Sequence, residues 1–350
     1  MAINRPSESK AMSRKVSVLF VDDEPNILRA VRRHLRHYKD EWHIHFAYGG
    51  VDAVKVITRE NVDIIVTDMR MPEVDGSQLL EWISENHPEI IRIVLSGEAK
   101  LEEIYRIVGR SHRFLAKPSS PEATISVIRD VVDAQLHDQI ENGVFEMSML
   151  DRLGTPASIF NTLQGVLDAD EVRIDEIANI VQQDPSLSLR SLQICNSAYF
   201  KQASHTCDIR KAISTIGADR FRELLKAGRL GQDSRVQVED DKVQQEAYWL
   251  ARASKNECTA QTDSQNVLSA AYVLGLGLRC GAVDTSGTLS QVAKRAAFLT
   301  VLFGLPEILP KSLLSLAKSN ASAPFEHWPK LIANAVIEQN DQLLNEEAAA

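Results

Sequence analysis

The chain has 350 residues and a mass of 39.0 kDa, which suggests two domains at roughly 150 residues each. Hydrophobic residues make up 44% and charged residues 25%, the balance of an ordinary globular protein, which excludes a fully disordered or fibrous chain. The net charge of −9 and the pI near 5.6 argue against a protein that coats nucleic acid.

Residues 1–14 are rich in Ser, Lys and Arg and read as a disordered tail. No apolar run as long as a signal core follows them, so they do not read as a secretory signal. Cys195, Cys207, Cys258 and Cys280 are scattered without a Cys-x-x-Cys pair, the pattern of reduced and mostly buried thiols. The longest apolar stretch, near Ala296 to Leu305, is about half the length of a membrane helix. A cytoplasmic location with no membrane partner is expected.

From Lys15 onward, short apolar runs alternate with amphipathic segments. Strands are predicted at Val16–Val21, Trp42–Ala47, Val62–Thr67, Ile90–Leu95 and Arg113–Ala116. Helices are predicted at Pro25–Tyr38, Gly50–Arg59, Ser77–Glu85, Leu101–Val108 and Pro121–Leu136. This alternation implies a parallel sheet covered on both faces. Ile27, Leu28, Val31 and Leu35 share one helical face, and Pro25 suits a first helical position. Trp42, Ile44 and Phe46 alternate with His43 and His45, which suits an edge strand with solvated histidines. The segment from Pro121 to Leu153 has the pattern of one long helix, and from Gly154 to about Leu344 only helical periodicity appears. Breaks fall at Asp168–Asp170, Asp184-Pro185, Ser204–Asp208, Gly231–Ser234, Asp284–Gly287 and Leu305–Pro310. Residues 345–350 are expected to fray.

The polar residues at the strand ends carry the chemistry. Asp22 and Asp23 follow the first strand, Asp68 the third, Ser96 the fourth and Lys117 the fifth. In an open parallel sheet these ends converge at one edge, where ligands bind. Three clustered carboxylates repel one another unless a cation joins them. A hard divalent ion such as Mg²⁺ suits oxygen ligands, and a lysine and a hydroxyl suit phosphate. One aspartate is then the acceptor that forms an acyl phosphate.

These residues lie in recognisable text: Val-Asp-Asp-Glu-Pro at 21–25, Thr-Asp-Met-Arg-Met-Pro at 67–72 with Asp75-Gly76 behind it, Leu-Ser-Gly at 95–97, and Phe-Leu-Ala-Lys-Pro at 114–118. The segment 15–136 resembles the receiver domain of bacterial two-component response regulators. The resemblance implies an α/β, flavodoxin-like fold with a five-stranded parallel sheet in the order 2-1-3-4-5. It implies Asp68 as phosphoacceptor, and Asp22, Asp23, Asp68 and the Arg70 backbone carbonyl around Mg²⁺. It also implies Ser96 turning toward the phosphoryl group, Lys117 pairing with it, Phe114 as a rotating switch aromatic, and a cis peptide at Lys117-Pro118. Arg29, Arg32, Arg33, Arg36 and Lys39 on the first helix read as a solvated face, with docking of an acidic kinase as the alternative.

After a helical linker at 137–150, the segment 151–344 also carries recognisable text. It opens Leu153-Gly154-Thr155-Pro156 and continues with Ile-Ala-Asn-Ile-Val-Gln-Gln-Asp-Pro-Ser-Leu at 177–187, Leu-Gln-Ile-Cys-Asn-Ser-Ala-Tyr-Phe at 192–200 and Lys-Ala-Ile-Ser-Thr-Ile-Gly at 211–217. This resembles the all-helical HDOD domain, a relative of the HD and HD-GYP metal phosphohydrolases. Those enzymes need histidines and a His-Asp pair to hold two metals. Here Leu278 and Arg279 stand where the pair falls, and Tyr248–Arg252 contains no histidine. No metal is therefore expected in the helical half. His137-Asp138 precedes that half and reads as solvated linker; His205 and His327 read as structural. Asn196 and Ser197 read as core braces, with a ligand groove as the alternative, and Tyr199, Phe200, Tyr248 and Trp249 as core.

The expected function is a response regulator phosphorylated on Asp68 by a sensor histidine kinase or phosphotransfer protein. Its non-catalytic output domain would bind a partner protein, with a cyclic-di-GMP signalling enzyme as the candidate by kinship. A homodimer is a further option. The alternatives are a phosphorylation-gated metal phosphodiesterase with an atypical site and a DNA-binding transcription regulator. No helix-turn-helix is evident, which sets nucleic acid aside.

Overall fold

The computed structural model describes residues 15–96, 107, 109–117, 120–139, 154–200, 205–227, 230, 242–258, 264–279, 288–319 and 323–349. The tail at 1–14, most of the predicted helix Leu101–Val108, Pro118 and the linker beyond Gln139 lie outside them.

Five strands form one parallel sheet: β1 Val16–Val21, β2 Trp42–Ala47, β3 Ile64–Asp68, β4 Ile91–Ser96 and β5 Arg113–Ala116. Their spatial order is β2-β1-β3-β4-β5, as the sequence resemblance implies. The pairing is parallel throughout, with Val18 opposite both Ile44 and Ile64, and Asp68 opposite Leu95. Side chains alternate between the two faces. Val18, Phe20, Ile64, Val66, Ile91 and Ile93 point to one face, beneath α1 (Pro25–His34) and α4 (Pro121–Gln139). Leu19, Val21 and Ile65 point to the other, beneath α2 (Gly50–Arg59) and α3 (Gly76–Asn86).

Several boundaries differ from the sequence reading for local reasons. The first helix ends at His34, and Leu35–Tyr38 tighten into a 3₁₀ turn whose Tyr38 ring stacks on Trp42 at 5.0 Å. The third strand starts at Ile64 because Asp63 is already engaged: its carboxylate accepts from the Ser17 N–H at 2.8 Å and its own N–H donates to the Ser17 carbonyl at 2.9 Å. β2 lies at the sheet edge as expected; His43 is exposed, but His45 is half-buried, as are Ile44 and Phe46.

The remainder is helical: α5 Ala157–Leu167, α6 Ile174–Val181, α7 Pro185–Cys195, α8 Ile209–Ile216, α9 Ala218–Lys226, α10 Lys242–Asn256, α11 Ser264–Arg279, α12 Leu289–Leu302, α13 Ile308–Ser319 and α14 Trp328–Ala349. Caps explain many of the starts. Asp184 accepts from the Ser186 and Leu187 N–H groups ahead of Pro185, Asp208 accepts from the Lys211 N–H, and Thr288 forms a capping box with Gln291. The break predicted through Pro310 ends earlier, because proline is tolerated in the first turn of α13. α14 continues to Ala349, past the fraying expected from Asn345, in a run of alanines and glutamates that favours helix.

The two halves are not separate bodies joined by a thread. The hydrophobic cluster beneath α1 and α4 runs on without interruption into Phe160, Leu163, Phe221, Tyr272 and Phe298 of the helical half. α4 packs along α12, and the 3₁₀ turn Ala198–Phe200 lies against β5.

Candidate functional site

The chain reverses its direction of travel across the sheet between β1 and β3, and this is where an open parallel sheet binds ligands. Asp22 follows β1 and Asp68 ends β3, so the two carboxylates flank that point. Lys117 follows β5 and reaches across β4 to both of them. Its Nζ lies 2.7 Å from Asp68 Oδ1 and 2.9 Å from Asp22 Oδ2. Burial works against the ammonium form, but hydrogen bonds and charge from Asp68 and then Asp22 outweigh it and raise the Lys117 pKa.

Each carboxylate is also oriented by its own loop. Asp22 is 3% exposed, and its Oδ1 accepts from the Glu24 N–H at 2.9 Å, just ahead of Pro25 at the start of α1. Asp68 Oδ2 accepts from the Arg70 N–H at 3.1 Å. The loop after Asp68 is pressed back onto the strand. The Gly76 N–H donates to the Met69 carbonyl at 2.9 Å, and a Cβ on Gly76 would stand 2.3 Å from the Asp68 carbonyl oxygen. Only glycine fits that approach. Asp75 then starts α3 with a full capping box to Gln78.

The structure therefore brings Asp22, Asp68 and Lys117 into direct contact. Asp23 is partly buried beside Asp22, and Ser96 ends β4 at the same sheet edge. The Ser96 side chain lies outside the described residues. Phe114 is partly buried in β5 between the large shared cluster and the smaller one of Met69, Leu80, Val94 and Ile107. Among the described residues, no three His, Cys, Asp or Glu side chains group around one point. Two carboxylates at the switch point already share the Lys117 cation, and Mg²⁺ asks for only one or two carboxylates beside carbonyl, water and phosphate oxygens, so the donor set fits it.

A family model described as the response regulator receiver domain matches residues 18–129, and one described as the HDOD domain matches residues 153–295. The chain carries a receiver domain followed by an HDOD domain. The hydrogenase transcriptional regulatory protein HoxA of Cupriavidus necator is 33% identical over 35% of this chain and 25% of its own length. The transcriptional regulatory protein GlrR of Escherichia coli K12 is 30% identical over 33% of this chain and 26% of its own length. The chain thus spans about a quarter of the length of these relatives. The crystal structure of the signal receiver domain of an HD domain-containing protein from Pseudomonas fluorescens Pf-5 matches at 26% identity, covering 35% of this chain and 99% of that one, with a TM-score of 0.32.

The HDOD domain uses its buried polar residues differently. Asp184 is fully buried and accepts from Thr155 Oγ1 at 2.5 Å as well as from its two cap N–H groups. Asn196 and Thr206 bond reciprocally, with Asn196 Nδ2 donating to the Thr206 carbonyl at 2.9 Å and the Thr206 N–H donating to Asn196 Oδ1 at 2.8 Å. Asn196 is therefore a brace. Trp249 departs from the core role read for it: it is 44% exposed and packs one face on Phe325 at 5.3 Å. Its helix turns that position outward, beside a cavity of about 560 Å³ that His327, Glu257 and Lys330 also line. Leu278 and Arg279 fall in α11, their side chains outside the described residues, as are those of His137 and Asp138 in α4. No helix among the described residues is long and apolar enough to cross a membrane.

Sequence reasoning missed the residues at the junction of the domains. Arg92 is wholly buried inside an apolar strand. Its Nη1 donates to the Pro88 and Ile90 carbonyls at 3.3 and 3.2 Å, its Nε donates to the Arg110 carbonyl, and its N–H donates to His112 Nδ1 at 3.0 Å. Burial, with the charges of Arg92 and Arg190, pushes the His112 pKa well down. A charge within Ile91-Arg92-Ile93 was the visible signal in the sequence.

Proposed function

We propose that the protein is a response regulator whose receiver takes a phosphoryl group on Asp68 from a histidine kinase or phosphotransfer protein, and whose HDOD domain is a non-catalytic output that binds a partner protein. The observation that carries the reading is the Lys117 ammonium held between Asp68 and Asp22 at the sheet's switch point. An Asp68 carboxylate oxygen attacks phosphorus, the bond from phosphorus to the donor breaks, and an acyl phosphate remains on Asp68. Lys117 orients the carboxylate beforehand and then pairs with a phosphoryl oxygen. Ser96, at the end of β4, supplies the hydroxyl that turns toward it, and Phe114 follows that movement. Asp22, Asp23, Asp68 and the Arg70 backbone carbonyl would hold Mg²⁺. When bound, that ion supplies positive charge to the oxygens of the transferring group.

Receiver, linker and output are assigned to 15–136, 137–150 and 151–344. The output partner is a protein, with a cyclic-di-GMP enzyme as the candidate because of the kinship between the HDOD domain and the HD-GYP phosphohydrolases.

The test is phosphate incorporation from a small phosphodonor with Mg²⁺, followed by mass mapping of the acyl phosphate. The wild-type chain should label at Asp68. Label on another residue would overturn the assignment.

A further inference from the structure

At the junction of the two domains, buried polar side chains of each domain donate hydrogen bonds to backbone carbonyls of the other. Gln193, in α7 of the HDOD domain, is buried, and its Nε2 donates to the Ser111 carbonyl at 3.1 Å and to the His112 carbonyl at 2.8 Å. Both carbonyls belong to the receiver segment that enters β5. One residue further, Arg113 Nη1 donates to the Val301 carbonyl. Val301 lies in the last turn of α12, where its carbonyl also accepts from the Gly304 N–H at 3.1 Å and the helix dipole favours a cation. The Arg113 guanidinium also lies against Gly304, which follows that helix. The turn carrying Tyr199 and Phe200 covers β5 beside them.

β5 is four residues long, Arg113 to Ala116, or roughly 13 Å at 3.3 Å per residue. It pairs with β4 alone, so it is the least restrained strand on its side of the sheet. Its two ends are tied to different things. Beyond its carboxyl end, Lys117 is tied to Asp68 and Asp22. At its amino end, Ser111, His112 and Arg113 are tied to the HDOD domain. Between them, Phe114 packs into both adjoining clusters.

We propose that the HDOD domain clamps β5 in its unphosphorylated position through Gln193 and Arg113, so that phosphorylation loosens this contact and the contact in turn opposes phosphorylation. The proposal rests on the Asp68 reading above. When Lys117 exchanges carboxylate partners for a phosphoryl oxygen, the carboxyl end of β5 shifts, and the strand is too short to absorb the shift before its amino end. Linkage makes the effect reciprocal: whatever phosphorylation costs the clamp, the clamp costs phosphorylation. Gln193 is a positioning residue here, since it touches neither Asp68 nor the phosphoryl group.

The test uses the full chain with beryllofluoride and Mg²⁺ as the phosphoryl mimic, with binding followed by ¹⁹F NMR. Gln193→Leu should bind beryllofluoride about five-fold more tightly than wild type, within the usual range of coupling between sites. Circular dichroism checks that the variant is folded. Hydrogen exchange on the unsubstituted chain gives a second readout that needs no variant: amides of Ser111–Lys117 and of α7 should exchange faster once beryllofluoride binds. Unchanged exchange in a wild-type chain that does bind the mimic overturns the clamp and leaves Asp68 standing. Equal affinity of folded Gln193→Leu and wild type overturns it as well. A wild-type chain that binds no beryllofluoride, or an Asp68→Asn chain that binds it equally, overturns the Asp68 reading and the clamp together.

Discussion

The receiver and the HDOD domain both bury charged and polar side chains, but to opposite ends. In the receiver, Asp22, Asp68 and Lys117 are brought together from the ends of three different strands, with Lys117 as the only cation that touches both acids among the described contacts. Such a cluster holds its charges against one another. In the HDOD domain, Asp184, Asn196, Ser188 and Ser191 each bond to a neighbouring backbone or hydroxyl group. Their capacity is taken up by the scaffold, so they specify packing rather than chemistry. The difference teaches where to look for function: at buried polar groups that face one another across elements, rather than at those that close a cap.

The comparison can be broken from either side. The largest effect should come from Asp68→Asn, which should reduce phosphate incorporation to background, measured as labelled protein after exposure to a small phosphodonor and Mg²⁺. Retained labelling would move the acceptor elsewhere. Asp184→Ala should do the reverse. It removes the cap of α7 and leaves the buried Thr155 hydroxyl without its acceptor, costing about 2–4 kcal/mol in denaturant unfolding. Phosphorylation of the folded variant at Asp68 should persist, and an Asp184→Ala chain of wild-type stability would contradict the bracing role.

His112 sharpens the comparison with a pH signature. Its folded pKa lies well below the ordinary 6.5, so below that pH the unfolded chain binds a proton that the folded chain refuses. Stability should therefore fall on acidification below about pH 6.5, with a slope from this group approaching 1.4 kcal/mol per pH unit. His112→Asn keeps an acceptor for the Arg92 N–H and should flatten the slope; parallel stability curves for the two proteins would exclude His112 as its source. The smallest effect is Asp75→Ala, which removes the capping box of α3. The loss is about 1 kcal/mol of receiver stability, read as a shifted midpoint with an unchanged denaturant slope.

Much of this was legible in the residues themselves. Apolar runs such as Val18–Val21 and Ile64–Val66 can be buried only between two layers of helix, and Asp22 and Asp68 stand behind them as Lys117 stands behind β5. Element edges were less legible, as at Leu35 and Val62, because a 3₁₀ turn and a side-chain bond to a neighbouring strand leave no periodicity to read. Trp249 was misread because a large aromatic on an amphipathic helix looks the same in sequence whether it faces the core or a cavity.

The amino-acid sequence by itself determined the layered α/β half, the strand order its motifs imply, the helical half behind it and the placing of Asp22 and Asp68 at one sheet edge. Local alternation and the handed parallel crossover leave few other arrangements. Only the tertiary structure decided that Lys117 spans Asp68 and Asp22, that Gln193 reaches Ser111 and His112, and that Arg113 caps α12. The last two link residues separated by 81 to 188 positions. No helical or strand period runs across such distances, so these contacts exist only once two finished domains have packed together.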